Sequence, residues 1–218
     1  MATKKKTKEY KQEIIKPLVV GEPDAVYLNL SKRYSYADYL TWTDDVRREL
    51  IDGIVYVLSA PTRLHMDITG FIWEKFRSFI KKKEGECKVY FAPFDVRFPN
   101  NGETDNNKIY TVVQPDICVI CDPEKLDRRG CIGAPDLIVE VQSPSTAKKD
   151  MFEKFKLYER SGVKEYWIVF PKEEGLTVFK LGKNGKYDQG TAYQFEGKVP
   201  VGIFKGLKID LEELFQDI

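Results

Sequence analysis

Apolar residues recur along the chain with two different spacings, which together predict an α/β protein. Between Thr62 and Lys83 they return every three or four residues, as on one face of a helix long enough to span a domain. Residues 111–120 and 136–141 are instead short, strongly apolar runs, typical of buried strands. The chain therefore combines at least one long amphipathic helix with buried β-strands.

A hairpin is predicted where Asp52-Gly53 separates two β-prone runs, 48–51 and 54–58. Asp-Gly between such runs favours a tight turn, because both turn positions need a positive φ. Glu49 then lies on the first strand of the hairpin, on the same face as Ile51.

A β-α-β unit is predicted further along, from strand 136–142, a helix over 147–160 that ends at Gly162, and strand 164–170. The residues Ser143-Pro-Ser-Thr146 offer N-cap chemistry for this helix. Two strands joined through a helix pair in parallel with a right-handed crossover.

The remaining elements complete a single α/β domain. They are a short helix over 35–42 with Tyr36, Tyr39 and Leu40 on one side, strands 88–91 and 94–98, antiparallel strands 177–180 and 192–195, and a last helix from Leu211. We expect a flexible basic tail over 1–17 and one domain over 18–218. Its mixed central sheet is flanked by helices, with an added N-terminal hairpin and C-terminal antiparallel strands.

The overall charge does not indicate a nucleic-acid-binding protein, since the 218 residues carry a net charge of +1. Residues 1–16 hold six lysines and two glutamates, a local +4 that could touch a phosphate backbone but is more typical of a solvated terminus. No apolar run is long enough for a membrane span, and no apolar segment follows the polar N-terminus. A cytoplasmic location is the expectation.

The four cysteines could include a zinc site, because Cys118-x-x-Cys121 has ligand-like spacing. In a strand, however, residues three apart point to opposite faces, and no second pair completes the site. Buried free thiols are the favoured interpretation of Cys87, Cys118, Cys121 and Cys131.

Two carboxylates interrupt the apolar strands. Asp116 lies in the run 111–120 and Glu140 in the run 136–141, where burial of a charge is costly unless a cation compensates for it. If the two strands are neighbours, both carboxylates could bind one hard cation such as Mg²⁺. Taken alone, Asp116 could also be a simple hydrogen-bonding group at a strand end.

A lysine on the following helix could reach these carboxylates. Asp150, Lys154 and Tyr158 recur every four residues along one stripe, whereas Lys156 lies on the opposite, solvated side. The Lys154 ammonium is therefore predicted to lie near the end of the strand that carries Glu140.

These residues resemble a known family. Pro115-Asp116 followed by Glu140-x-Gln142 is similar to the PD-(D/E)xK signature of restriction-endonuclease-like nucleases. A wider set of positions resembles the Uma2 (DUF820) family from about Tyr36 to Phe215: Arg48-Glu49 to Gly53, His65, Gln114 to Asp116, Pro135 to Glu140, Ser143, Asp150, Lys154, Tyr158, and Gly162 to Trp167.

The resemblance implies a role for each matching position. Asp116, Glu140 and the carbonyl of Val141 would hold Mg²⁺ or Mn²⁺, and Glu49 would bind the metal through water or bind a second ion. Gln142 departs from the family pattern, since the superfamily usually has its lysine there. Lys154 is the candidate to replace that ammonium.

The expected activity is metal-dependent hydrolysis of phosphodiester bonds in DNA, by a homodimer without an organic cofactor. The alternatives are a catalytically inactive nuclease fold that binds DNA or regulates, and a carboxylate hydrolase such as a glycosidase that needs no metal.

Several candidate residues also have simpler interpretations. Glu49 could form an exposed pair with a neighbouring arginine, and His65 could act as an acid, a base or a phosphate ligand, although a cap or loop contact is favoured. Asp150 would support Lys154 or favour the helix N-terminus. Tyr158 and Trp167 are favoured as core or rim aromatics.

Overall fold

Two mixed sheets form the centre of the molecule. In this computed structural model, the described residues are 28–29, 31–100, 102–143, 149–195 and 197–216, without the side chains of 149–151. The predicted tail over 1–17 lies outside the described residues. No helix within the described ranges is long and apolar enough to cross a membrane.

The strands and helices are short apart from one helix. The strands are β1 Arg48–Ile51, β2 Ile54–Val57, β3 Lys88–Phe91, β4 Asp95–Arg97, β5 Val112–Val113, β6 Ile117–Ile120, β7 Leu126–Asp127, β8 Gly130–Ile132, β9 Leu137–Val141, β10 Glu165–Phe170, β11 Gly175–Lys180, β12 Thr191–Tyr193, β13 Lys198–Pro200 and β14 Lys208–Asp210. The helices are α1 Tyr36–Tyr39, α2 Arg63–Lys82, α3 Phe155–Ser161 and α4 Leu211–Phe215, and a π-helical turn, Lys149–Lys154, leads into α3.

Within the described ranges, each of the two sheets has six strands. The first has the order β2-β1-β5-β4-β8-β7 and the second the order β12-β11-β10-β9-β6-β3, while β13 and β14 form a separate ladder. The β9–β10 pair of the second sheet is parallel, and so is the β4–β8 pair of the first. The β9–β10 pair confirms the parallel strands of the predicted β-α-β unit.

The second sheet is covered on both faces. On one face α2 packs its apolar stripe, including Ile72 and Phe76, against Val139 and Trp167. The other face contacts α3 and the first sheet in a second apolar cluster, and the outer face of the first sheet packs against α1. Side chains between the two sheets are therefore deeply buried.

The turn and helix-end signals in the sequence are confirmed. Asp52 and Gly53 connect β1 to β2 with positive φ angles of 52° and 78°. The helix α2 begins after the N-cap Thr62, and Gly162 ends α3 in the left-handed conformation with a φ of 86°. The mixed α/β fold class is also confirmed.

The expectation of one continuous strand over 111–120 is wrong. The chain pairs with the first sheet at Val112–Val113 and with the second at Ile117–Ile120. Between them Pro115 has no N–H to offer a ladder, so the chain changes sheets at this position. Asp116 consequently lies directly before β6, not in the middle of a strand.

Two helix predictions also change. The helix predicted over 147–160 is described only from Lys149 and starts as the π-helical turn, while the proposed N-cap residues 144–146 lie outside the described residues. In α1 Tyr36 is buried, as expected, but Leu40 is 36% exposed and belongs to no apolar face.

The prediction of free thiols is wrong for two of the four cysteines. Cys87 and Cys121 form a disulfide. Cys87 precedes Lys88 and Cys121 follows Ile120. Because Lys88 and Ile120 are paired, the two cysteines lie opposite each other at the ends of the antiparallel strands β3 and β6. Sequence spacing could not reveal this register. Cys118 and Cys131 are buried free thiols, as predicted.

Candidate active site

Asp116 and Glu140 face each other across neighbouring antiparallel strands. Ile117 pairs with Val139 at the end of the β6–β9 ladder, so one further step in the same register places Asp116 opposite Glu140. Directly opposed residues point to the same face of a sheet. The two carboxylates that the sequence singled out are therefore brought together.

Backbone and side-chain donors orient Asp116. Its Oδ2 accepts the Val141 N–H at 2.8 Å and lies 3.0 Å from His65 Nε2. Among the described residues no hydrogen bond reaches Oδ1, and the side chain remains 18% exposed. One oxygen of this carboxylate is thus fixed while the other is available to a ligand.

Glu140 is buried, and Lys154 and Tyr158 both donate to it. Its Oε1 accepts hydrogen bonds from Lys154 Nζ at 2.8 Å and from the Tyr158 hydroxyl at 2.6 Å. Lys154 is the last residue of the π-helical turn and Tyr158 lies one helical turn later, so both reach the same oxygen. The predicted approach of the ammonium to this strand is observed.

Glu49 completes this buried cluster from the first sheet. Its Oε1 lies 3.0 Å from Lys154 Nζ and also accepts the Gln114 N–H at 2.9 Å. The side chain is fully buried, so the alternative of an exposed pair with an arginine is wrong. Arg48 pairs with Asp44 and Arg47 with the Gln114 side chain instead.

Burial raises the pKa of Tyr158 well above its usual range, and the negative charges of Glu140 and Glu49 raise it further. The hydroxyl is therefore protonated at every pH near neutrality and acts as a donor toward Glu140. Tyr158 is a core aromatic, as predicted, with its polar end in the charge cluster. Trp167 is likewise buried in the core.

His65 contributes its side chain to the site, which corrects the favoured interpretation of a cap or loop contact. Only its backbone N–H takes part in capping, by donating to Thr62 Oγ1. The ring lies in the first turn of α2 with Nε2 at Asp116, while the buried Nδ1 has no hydrogen-bond partner among the described residues.

These groups line a cleft of about 260 Å³. The predicted residues in its wall are Glu49, His65, Asp116, Glu140, Val141 and Lys154. Gln142 and Tyr158 are not among the wall residues of the described chain. The side chain of Asp150 lies outside the described residues.

Sequence reasoning assigned no role to several wall residues, among them Arg47, Gln114, Met66 and Phe91. Gln114 links two strands of the first sheet: its backbone N–H donates to Glu49 of β1, and its side-chain amide donates to Asp95 of β4 at 3.0 Å. Its position directly before Pro115-Asp116 was the sequence feature that could have identified Gln114 as a residue of the site. Met66 and Phe91 gave none, because an apolar residue in a helix or strand first suggests core.

The donor set suits a hard divalent cation. Asp116 Oδ1 is not hydrogen-bonded to any described residue, and Glu140 and Val141 lie beside it in the cleft wall. No group of three or more His, Cys, Asp or Glu residues capable of holding a metal is found in the described part of the chain. Mg²⁺ is commonly held by one or two carboxylates with water completing its shell, so two carboxylates and a carbonyl fit it.

Known proteins resemble this chain over most of its length. The Uma2 family model, described as "putative restriction endonuclease", matches residues 36–212. An uncharacterized protein from Synechocystis is 27% identical over 173 residues, which cover 78% of this chain and 84% of that protein.

A solved structure supports the same fold. The crystal structure of a "putative nuclease belonging to DUF820" from Anabaena variabilis superposes with a TM-score of 0.67 at 18% identity, and covers 84% of this chain and 98% of that one. At this identity the likeness concerns the fold.

Proposed function

Because the chain belongs to the Uma2 family of restriction-endonuclease-like proteins, we propose that it is a divalent-metal-dependent endonuclease that hydrolyses phosphodiester bonds in DNA. The observation that carries the proposal is the convergence of Asp116, Glu140 and Lys154 at one cleft. The family match supports a nuclease, and the charges of the cleft support a metal-assisted reaction on a phosphodiester.

Asp116, Glu140 and the Val141 carbonyl would hold Mg²⁺ or Mn²⁺. A cation bound there would supply Lewis-acid chemistry, by neutralising the phosphate and lowering the pKa of a bound water. The Val141 N–H and His65 fix Asp116 Oδ2, which leaves Oδ1 to bind the cation. His65 is therefore a positioning residue for Asp116.

Lys154 would supply the ammonium that the superfamily usually has at the position of Gln142. Its ammonium is held between Glu140 and Glu49, and it would orient the attacking water and offset negative charge that develops on the phosphate. Glu49 holds the ammonium in position from the opposite sheet. Tyr158 donates to the oxygen of Glu140 that faces Lys154.

The test is nicking of supercoiled plasmid DNA by the full chain with Mg²⁺ or Mn²⁺. We expect Asp116→Asn and Lys154→Ala each to lower the rate at least a hundredfold, because each removes a charge at the reacting phosphate. Lys156→Ala is the matched control, since Lys156 is exposed two residues from Lys154. Undiminished cleavage by either variant would refute the assigned role of that residue.

A catalytically inactive DNA-binding or regulatory protein is the second candidate, favoured by the glutamine at position 142 and the net charge of +1. It predicts DNA binding without nicking under all metal conditions. A metal-free carboxylate hydrolase predicts instead that Mg²⁺ produces no binding heat in calorimetry. We further propose a homodimer, since cleavage of both strands requires two active sites, and sedimentation equilibrium tests it.

A further inference from the structure

We infer that the cleft contains a subsite for an unpaired nucleobase, formed on Phe91 beside the carboxylates. The inference rests on the proposed function, because the subsite is defined relative to a phosphodiester bound at Asp116 and Glu140. It specifies the substrate as DNA in which a base next to the scissile phosphate is unpaired, as in single strands, loops and mismatches.

Phe91 places an exposed ring next to Asp116. It is the last residue of β3, pairs with Ile117, and is 48% exposed. The following residue, Ala92, donates its N–H to the Asp116 carbonyl at 3.2 Å. The ring therefore belongs to the same short stretch of wall as the carboxylate.

Packing holds this ring in a defined orientation. Trp73 from α2 contacts Phe91 edge to face, with ring centroids 5.2 Å apart and planes at 89°. The Trp73 indole N–H donates to the Val89 carbonyl at 3.3 Å, which fixes the indole in turn. A rigid aromatic surface is thus exposed to the cleft, and such a surface can stack on any base.

The neighbouring wall is also apolar. Met66, on the first turns of α2, is 51% exposed and lines the same cleft, together with Leu58 and Pro61. Exposed apolar side chains at the mouth of a charged site are costly to hydrate, and a flat heterocycle between them would remove that area from water. A cleft of about 260 Å³ has room for one base.

The charges that the described part of the chain contributes to the wall do not resemble a duplex-binding track. Among the described residues of the wall, the lysine and arginine residues are Lys154, buried between two carboxylates, and Arg47, which donates twice to Gln114 Oε1. Proteins that bind duplex DNA contact many phosphates with lysine and arginine. Stacking on Phe91 is a better source of affinity in this cleft, and it requires a base that has left the double helix.

The experiment measures binding of a labelled 12-nucleotide single strand and of its duplex by fluorescence anisotropy, with Ca²⁺ in place of Mg²⁺. A denaturing gel verifies that the recovered strands are intact. We expect the native chain to bind the single strand at least tenfold more tightly than the duplex. Phe91→Ala should weaken single-strand binding about tenfold, the effect of one lost base–aromatic stack.

The variants separate stacking from a structural role. Phe91→Trp should retain single-strand binding, while Phe91→Leu, which keeps apolar bulk without the aromatic face, should lose it as Phe91→Ala does. Phe195→Ala is the matched control, because Phe195 is 50% exposed and lies outside the cleft wall. Thermal unfolding of each variant checks that the fold is retained.

Failure of the subsite and failure of the nuclease are distinguishable. Plasmid nicking together with equal single-strand binding by Phe91→Ala and the native chain would overturn the subsite and leave the nuclease intact. A preference of the native chain for duplex, or no detectable single-strand binding, would overturn it as well. Absence of nicking with both Mg²⁺ and Mn²⁺ would overturn the proposed nuclease activity and would not bear on single-strand binding at Phe91.

Discussion

At the scale of single residues, the cluster of Glu49, Lys154 and Glu140 combines burial with charge. The exposed fraction of each of these side chains is 4% or less. Charges removed from water are stable only when they are paired and hydrogen-bonded. The ammonium is thus a structural counter-ion for two carboxylates as well as a proposed participant in the reaction.

Lys154→Met should therefore lower the free energy of unfolding by about 3–5 kcal/mol, because it removes the ammonium that pairs with two buried carboxylates. Urea unfolding at pH 7 measures the change. Lys186→Met is the control: its side chain is 68% exposed and pairs with Glu159, and a pair of this kind contributes about 0–1 kcal/mol.

Glu49→Gln combined with Lys154→Met should recover part of that loss, since one buried negative charge is then removed. A double variant less stable than Lys154→Met alone would contradict the view of Lys154 as a counter-ion. Mg²⁺ should stabilise Lys154→Met more than the native chain, because a bound cation can replace the ammonium.

At the scale of elements, local signals in the sequence predicted most boundaries. The Asp52-Gly53 turn, the α2 bounds and the Gly162 stop depend on nearest neighbours, which a single sequence displays. The exchange of sheets at Pro115 and the Cys87–Cys121 pairing depend on partners far along the chain. Sequence periodicity carries no information about such partners, so both were missed.

The same division holds at the candidate site. Asp116 and Glu140 stood out because charges within apolar runs are anomalous, and Lys154 because it shares one helical stripe with Asp150 and Tyr158. The cleft position of His65 and the exposure of Phe91 follow instead from how α2 lies across the edge of β3, which no local pattern encodes. The charged candidate residues could therefore be named from the sequence, whereas the shape of the cleft and the residues that line it could not.

Two glycines provide a test of helix geometry. A Cβ atom at Gly70 or at Gly162 would meet nothing within 4 Å, so contacts do not differ between them. Gly70 is inside α2, and Gly70→Ala should stabilise the fold by about 0.5–1 kcal/mol. Gly162 has a φ of 86°, and Gly162→Ala should cost about 1–2 kcal/mol.

Thermal or urea unfolding of both glycine variants measures these changes. Effects of the same sign would show that the left-handed C-cap of α3 does not control its stability, since backbone conformation is the difference between the two positions.

At the scale of the whole molecule, the site draws on both sheets. Glu49 comes from the first sheet and Glu140 from the second, and Asp116 follows directly on the segment that joins them. The site therefore exists only when the two sheets are docked. Its geometry depends on their relative position more than on any one loop.

Buried tyrosines make the stability of the molecule sensitive to alkaline pH. Burial raises the pKa of Tyr36, Tyr158 and Tyr187 above the usual value, and nearby carboxylates raise each further. Below about pH 10 the folded and unfolded chains both keep these protons, whereas above it the unfolded chain releases them first. The free energy of unfolding should therefore fall as the pH rises beyond about 10.

Urea unfolding at pH 8 and at pH 11 measures this loss. Tyr187→Phe should be less stable at pH 8 by about 1 kcal/mol, because the Val163 carbonyl loses its hydrogen bond, yet it should lose less between the two pH values. Parallel losses for the variant and the native chain would show that Tyr187 does not contribute.

The exchange of sheets at Pro115 also has a consequence for how the molecule assembles. While the two sheets are apart, Glu49, Lys154 and Glu140 are hydrated. The unfavourable removal of that water therefore occurs in the folding step in which the two sheets pack against each other. Packing of the two sheets should then be a late step in refolding, and its rate should depend on salt concentration and pH. Variants that neutralise the cluster would fold faster even where they abolish the proposed reaction.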